Sequence, residues 1–376
     1  MTFVRTRRSG AVDRRRFLGA IAASAAGLAD TRPTVALQQP ASLQDNPEID
    51  ARLAAMPATE RVAQLFTVPV AATVLTAEED AWLRAARPGG VILTGANIGT
   101  LEEVAALVAA IRATNPGLPP FVCVDQEGGI VSRVPGDPAP DAPTLGTLPP
   151  EKIAGFAAER ARFLAGYGFD VNFAPVADIA WSPDSFMAGR CFGSDPRVVA
   201  TAVAAYLDGV ADGPVHHCAK HFPGHGRPTT DSHVALPEVP LSVEEWAETD
   251  GLPFAAAVAA DVPMVMLGHL RYPAWDDLPT SISPVAVAIL RERLGFAGIV
   301  VSDDLGMGAL SDYPALDVVR LAIEAGNDML LYVTPALPPS DLMAHLAALV
   351  EDGDMSPDRI DESARRIIAL KLTVAG

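Results

Sequence analysis

The chain has 376 residues, 49% of them apolar and 20% charged, enough for one large domain or two ordinary ones with a sizeable core. That composition excludes disordered and fibrous classes, and a formal net charge of −18, from 28 Lys plus Arg against 46 Asp plus Glu, argues against nucleic acid as a partner, since phosphate binding needs basic stripes. The three cysteines, Cys123, Cys191 and Cys218, sit in apolar or strand-like contexts and imply no disulfide framework, so they are read as small buried hydrophobes.

In chain order, residues 5–16 carry six Arg and one Asp, followed by an Ala-rich, mildly apolar run over 17–29. This is the layout of a cleavable export signal, and Arg14-Arg15-Arg16-Phe17-Leu18 resembles the twin-arginine pattern. The apolar run is well short of the roughly 20 residues a membrane helix needs. An exported protein is therefore expected, periplasmic, wall-associated or extracellular, with no stable membrane span after cleavage of 1–29. Residues 30–48, with three Pro and no apolar periodicity, read as a flexible tether. No composition shift divides 49–376, which is expected to form one catalytic domain.

Apolar runs rich in Val, Ile and Phe at 65–69, 90–94, 121–124, 171–175, 215–220, 263–267, 298–302 and 329–333 are predicted as strands. Helical spacing alternates with them over 101–113, 152–165, 196–211, 243–259, 284–294 and 314–325, and two further helices, 340–351 and 357–372, follow the last strand. Strands buried on both faces and alternating with helices point to a parallel sheet. Eight such units predict an α/β fold of the single (β/α)8 TIM-type barrel, with an open doubly wound sheet as the alternative.

The richest stretch is 220–233, KHFPGHGRPTTDSH. Lys220 and His221 close the fifth strand, where catalytic groups collect in α/β folds. Pro223, Gly224 and Gly226 then force an irregular backbone. Asp231 and His233, two apart in an extended loop, share one face, where the carboxylate can orient and polarise the imidazole. Other polar groups also fall at strand ends: Asp125 to Glu127 after the third, Asn172 and Asp178 around the fourth, His269 after the sixth, Asp303 and Asp304 after the seventh. A barrel gathers these ends on one rim. Singly, each has a plain reading, Asp178 and Asp304 as caps or loop carboxylates and His269 as a satisfied core histidine.

Five of the seven histidines lie within 216–233, which invites a metal reading. Against it, His216 and His217 point to opposite faces of a strand, no HxH or HExxH occurs, and Lys220 would repel a cation. A serine nucleophile lacks its GxSxG elbow, and no phosphate-cradling loop follows a strand. What remains is Asp303 as nucleophile or electrostatic stabiliser, with His233 tuned by Asp231 as general acid and base. That pairing suits glycoside cleavage, with a histidine in place of the second carboxylate, and requires neither metal nor cofactor.

The motifs MPATERVAQLF (56–66), VDQEGGIVSR (124–133), NFAPVADI (172–179), GRCFGSDP (189–196), KHFPGHGRPTTDSH, GHLRYP (268–273), SDDLGM (302–307) and RIDESARRIIALK (359–371), in this order, resemble glycoside hydrolase family three, and within it the NagZ-like single-domain β-N-acetylglucosaminidases. The resemblance implies that Asp303 attacks the anomeric carbon and that Asp304 is structural. It implies that His233, held by Asp231 on a mobile loop, protonates the leaving oxygen and then deprotonates water. Asp125 and Arg133 would bind outer sugar hydroxyls, with Arg190, Lys220 and His221 completing the pocket. The implied substrates are GlcNAc-containing oligosaccharides or muropeptides, cut at terminal β-linked GlcNAc by a monomer. A phosphorylase or β-glucosidase of the same family, or a non-catalytic exported sugar-binding protein, is the alternative. Ile130 stands where the family has Arg, Cys191 replaces a Ser, and Arg227 follows Gly226 where an acidic or small residue is common.

Overall fold

A computed structural model describes residues 46–374. The expected export signal, and the tether as far as residue 45, lie outside the described residues. Residues 46–48, expected as the end of the tether, instead start the fold. The Asn46 side chain accepts from the backbone N–H groups of Glu48 and Ile49, and Pro47 opens the helix Pro47–Ala55. A capping Asn followed by a Pro whose missing N–H would have been unpaired anyway is a strong helix start.

The eight expected strands are all present. β1 (Phe66–Pro69), β2 (Gly90–Leu93) and β3 (Phe121–Val124) are followed by a hairpin of β4 (Gln126–Gly128) and β5 (Val131–Ser132). β6 (Val171–Asn172), β7 (His216–Phe222), β8 (Met264–Leu267), β9 (Ile299–Ser302) and β10 (Leu330–Leu331) complete the set. The order β10-β1-β2-β3-β6-β7-β8-β9 is parallel throughout, with Phe66 against Leu330 at one seam. A parallel bridge from Val301 to Met329 joins β9 to the segment entering β10, closing the circle. This is the single (β/α)8 TIM-type barrel, with helices such as Leu101–Arg112, Pro150–Gly166, Pro196–Val210 and Ala315–Ala325 packed outside.

Two expected helices are interrupted, each for a local reason. The stretch 243–259 splits into Val243–Ala247 and Gly251–Ala259. Between them the buried Asp250 turns inward to accept from Trp181 Nε1 (2.8 Å) and Arg227 Nε (2.7 Å). In 284–294 the α-helix stops at Ala288 and a wider π turn, Ile289–Arg293, follows, while Arg291 donates to the carbonyls of Phe296 and Gly298. The helix Ala77–Ala86, missing from the sequence reading, starts on a capping box of Thr76 and Glu79, a polar signal that carries no apolar stripe.

The three cysteines are free and buried, as expected. At the N-terminal ends of the strands, Lys371 Nζ donates to Gln64 Oε1 (2.9 Å), and Asp328, before β10, takes Arg291, Arg366 and Ser363. Such groups plug and pair the base of the barrel and leave the opposite rim for chemistry.

Candidate active site

Lys220 and His221 occupy the C-terminal half of β7, joined by a cis peptide bond. The Lys220 ammonium, 2% exposed, lies 2.5 Å from Asp125 Oδ1 and 2.7 Å from Glu127 Oε1. Arg190 meets the same Glu127 carboxylate two-pronged, Nε to Oε2 at 2.8 Å and Nη2 to Oε1 at 2.7 Å. Burial pushes the Glu127 carboxyl up, but Lys220 and Arg190 outweigh it and hold the group down to about 2. A buried carboxylate flanked by two cations stays ionised and fixes both, so their remaining N–H donors are aimed.

Asp178 is the second anchor. Its buried carboxylate receives the backbone N–H of His221 and of His225 (2.6 Å) and lies 2.7 Å from His221 Nδ1. On the other side of that ring, Arg190 Nη2 is 3.4 Å from His221 Nε2. Because a guanidinium can only donate, Nε2 accepts there and Nδ1–H donates to Asp178. Burial would raise the Asp178 carboxyl, yet His221 and the amide donors bring it below its ordinary value.

The chain can run this way because glycine allows it. A Cβ on Gly226 would stand 1.8 Å from the Ile179 carbonyl oxygen, and Gly224 has φ +133°. Arg227, which departs from the family pattern, does not reach toward Glu127 or Asp178. It pairs with Asp250 and lies 4.0 Å over the Trp181 ring.

Asp303 follows β9 directly. Its Oδ1 accepts the Asp304 backbone N–H at 2.8 Å, and Oδ2 has no hydrogen bond among the described residues. Burial raises its carboxyl, but His221, His269, that amide and Lys220 together bring it to about 2. Asp304 points elsewhere: its two oxygens accept from the backbone N–H groups of Gly306, Val333 and Thr334 and from the Thr334 hydroxyl, tying the loops after β9 and β10. His269 is a satisfied core histidine, between Ser281 Oγ (2.7 Å) and the Asp304 carbonyl (2.8 Å).

The Asp231–His233 pair forms, though in a turn and not in the extended loop expected: the Asp231 carbonyl accepts from the N–H groups of Val234 (3.0 Å) and Ala235 (3.2 Å). Asp231 Oδ1 lies 2.7 Å from His233 Nδ1 and also takes the His233 backbone N–H at 2.9 Å. The His233 side chain is 61% exposed, so Nε2 is left to the rim. The loop is pinned to the segment after Asp303: Gly308 N–H donates to the His233 carbonyl (3.2 Å) and Ala309 N–H to that of Ser232 (3.1 Å).

Asp125, Lys220, His221 and Arg190 thus share one connected network with Glu127. Arg133 stands apart from it: its backbone N–H is held by Gln126 Oε1 at 2.8 Å, and its guanidinium makes no hydrogen bond or ion pair among the described residues. Gln126 itself is clamped by Asn172 and braces Val134, Ser132 and Asp137, so the hairpin that carries Arg133 is rigid at its root. The five clustered histidines separate. His216 and His217 lie at the start of β7, against Phe121 and Tyr206, at the other end of the strand from His221. Among the described residues no three His, Cys, Asp or Glu side chains gather as a metal site would need. Glu127 and Asp178 were absent from the expected site residues. Their signal was position alone, each a carboxylate just beyond a strand end.

Known proteins share this arrangement of chain. The family model described as glycosyl hydrolase family 3 N terminal domain matches residues 58–370. A protein named beta-hexosaminidase from Stenotrophomonas maltophilia is 36% identical over 291 residues, covering 74% of this chain and 86% of that protein. Among solved structures, a family 3 beta-N-acetylglucosaminidase from Paenibacillus superposes with a TM-score of 0.82 at 31% identity, over 85% of this chain and 63% of that longer one. A beta-N-acetylhexosaminidase from Beutenbergia cavernae gives 0.77 at 31% identity, over 85% of this chain and 99% of that one. On the family model's match to nearly the whole barrel, and on the 36% identity of the first of these relatives, the chain belongs to glycosyl hydrolase family 3.

Proposed function

We propose that the protein is a retaining exo-β-N-acetylglucosaminidase that removes terminal β-linked GlcNAc from peptidoglycan fragments. The observation that carries this is that the loop after β9, which holds an Asp303 carboxylate with a free Oδ2, is tied by backbone hydrogen bonds to the loop that holds the hydrogen-bonded Asp231–His233 pair. The relatives' hexosaminidase names support the GlcNAc preference. The Arg-rich and Ala-rich stretch over 5–29 supports an exported enzyme, to be checked by cell fractionation.

In the first step the Asp303 oxygen bonds to the anomeric carbon as the bond to the leaving oxygen breaks, and that oxygen takes the proton from His233 Nε2. Asp231 accepts the Nδ1–H and so leaves Nε2 as the ring nitrogen that exchanges a proton with the substrate. In the second step His233, now neutral, removes a proton from water, whose oxygen displaces Asp303 from the sugar. Asp125, Lys220, Arg190 and His221 orient the hydroxyls, with Arg133 closing over the sugar from its hairpin. The cations below His233 are fixed by carboxylates of their own, so a change in the His233 loop acts on the acid more than on the groups that orient the sugar.

The test is release of nitrophenol from the β-GlcNAc and β-glucose nitrophenyl glycosides, with and without phosphate. Preferential GlcNAc hydrolysis, indifferent to phosphate and lost in Asp303→Ala and His233→Ala, is expected. Glucose preference, or a sugar phosphate as product, would assign a β-glucosidase or a phosphorylase instead. GlcNAc binding without turnover would leave a sugar-binding protein.

A further inference from the structure

Two residues beside the dyad have no part in the chemistry above. The His225 ring is 1% exposed and its Nε2 lies 2.7 Å from Ser232 Oγ, the residue between Asp231 and His233. Its Nδ1 is buried without a hydrogen-bond partner among the described residues. A stranded N–H is costlier to bury than a bare ring lone pair, so the proton belongs on Nε2 and is donated to the serine. Burial, reinforced by His221, pushes the His225 imidazole down to about 4, which keeps the ring neutral and this bond unchanged across the neutral range. Phe186 packs against two imidazoles at once, with centroids 5.9 Å from His225 and 5.9 Å from His233, the second contact edge-on at 67°.

The backbone of His225 is no freer than its ring. Its N–H is held by Asp178 at 2.6 Å, the same carboxylate that fixes His221. The next residue, Gly226, lies so close to Ile179 that no side chain fits. A continuous chain of contacts therefore runs from the sugar pocket through His221, Asp178 and His225 to Ser232 and the dyad loop.

We propose that His225, through Ser232, and Phe186 are positioning residues that hold the loop so that His233 faces the leaving oxygen. This rests on the acid/base reading of His233. The bond sets where the loop backbone sits, and the phenyl ring sets the plane of the imidazole. A misplacement of about 1 Å in a catalytic group costs on the order of a hundredfold in rate, and in kcat/KM, which reads the first step, the loss falls on the proton transfer to the leaving oxygen.

The experiment compares kcat/KM on the phenyl and dinitrophenyl β-GlcNAc glycosides for Ser232→Ala, Phe186→Leu and, as reference, His233→Ala. A phenolate leaves poorly and needs its proton, whereas dinitrophenolate leaves without help. The expected result is a loss of about tenfold or more on the phenyl glycoside, within the range of general acid catalysis, and little loss on the dinitrophenyl one, in both positioning variants. The reference shows the same discrimination more strongly. His225→Gln, which keeps a side-chain N–H donor, retains more phenyl-glycoside activity than His225→Ala. Equal losses on both substrates in Ser232→Ala and Phe186→Leu, or none, overturn the proposal while His233→Ala still discriminates. If His233→Ala itself fails to discriminate, the acid/base reading falls and takes this one with it. Phe186 is partly exposed, so its leucine variant is expected to fold even where a buried replacement does not.

Discussion

Lys220 and Glu127 form a buried ion pair, 2.7 Å apart with 2% and 3% of their side chains exposed, at the C-terminal rim of the barrel, beneath the proposed sugar site. Desolvating both charges is repaid only because each has further partners, Asp125 on one side and Arg190 on the other. Lys220→Met leaves Asp125 unpaired and Glu127 with one cation where it had two. A loss of about 3–5 kcal/mol is expected from breaking such a pair, read as a lower denaturant midpoint at unchanged slope, together with a raised KM. Lys220→Met combined with Glu127→Gln recovers part of the stability and none of the binding. A double variant no more stable than Lys220→Met would show that the two charges are not coupled.

Acid lowers stability in two windows. The half-buried His216 and the buried His217 and His225 have imidazoles pushed by desolvation down to about 4, 3 and 4 from 6.5. Glu127 and Asp303 are held at about 2. In every case the folded value is depressed, so the unfolded chain binds more protons as the pH falls and stability drops with it. The histidine contribution is complete above 6.5 and is lost on the way down to its folded values, and the carboxylate contribution is lost from about 4 down through about 2. Melting temperature followed from neutral pH down to about pH 2 is expected to be flat above 6.5 and then to fall in two stages. Glu127→Gln weakens only the lower stage, and a melting temperature that rises on mild acidification would contradict the sign.

The strands and the dyad were legible because local rules settle them. Eight apolar runs separated by helical spacing leave few topologies, and Asp231 and His233 are close enough in sequence that spacing alone brings them together. What stayed hidden depends on distant partners. Glu127 and Asp178 look like ordinary loop carboxylates until Lys220 and Arg190, or His221 and His225, arrive from other strands. The break at Asp250 was likewise invisible, because its cause is Trp181 and Arg227, 69 and 23 residues away. The β4–β5 hairpin is too short to show an alternating pattern, and it is pinned by Asn172, 46 residues on.

Gly308 carries the loop that carries His233. An added Cβ would meet the His233 carbonyl oxygen at 2.5 Å and that of Val234 at 2.9 Å. Both are backbone atoms, so the loop as a whole must shift, and the bond from Gly308 N–H to His233 is strained with it. Gly308→Ala is expected to cost about 1–3 kcal/mol, as overpacking does, and to lower kcat more than it raises KM, because the sugar pocket is untouched. Steady-state kinetics with a melting curve check it. An unchanged kcat would mean that the loop repositions freely.

Asp303 and Asp304 are neighbours in sequence with opposite tasks, and one substitution in each separates them. Asp303→Asn keeps the shape and the Oδ1 acceptor for the Asp304 amide while removing the charge proposed to attack the sugar. It is expected to lose about a thousandfold or more in kcat, as nucleophile removal does, and to remain folded. Asp304→Asn instead turns an amide NH2 against donors, since all four groups on that carboxylate are N–H or O–H. At least one donor is then stranded, at a cost of about 1–3 kcal/mol, and the chain after β9 and β10 loosens. Its kinetic loss should be the smaller of the two and its melting temperature the lower. If Asp304→Asn proved the inactive, stable variant and Asp303→Asn the unstable one, the nucleophile would have to be reassigned to Asp304, against the four hydrogen bonds that turn it away from the rim.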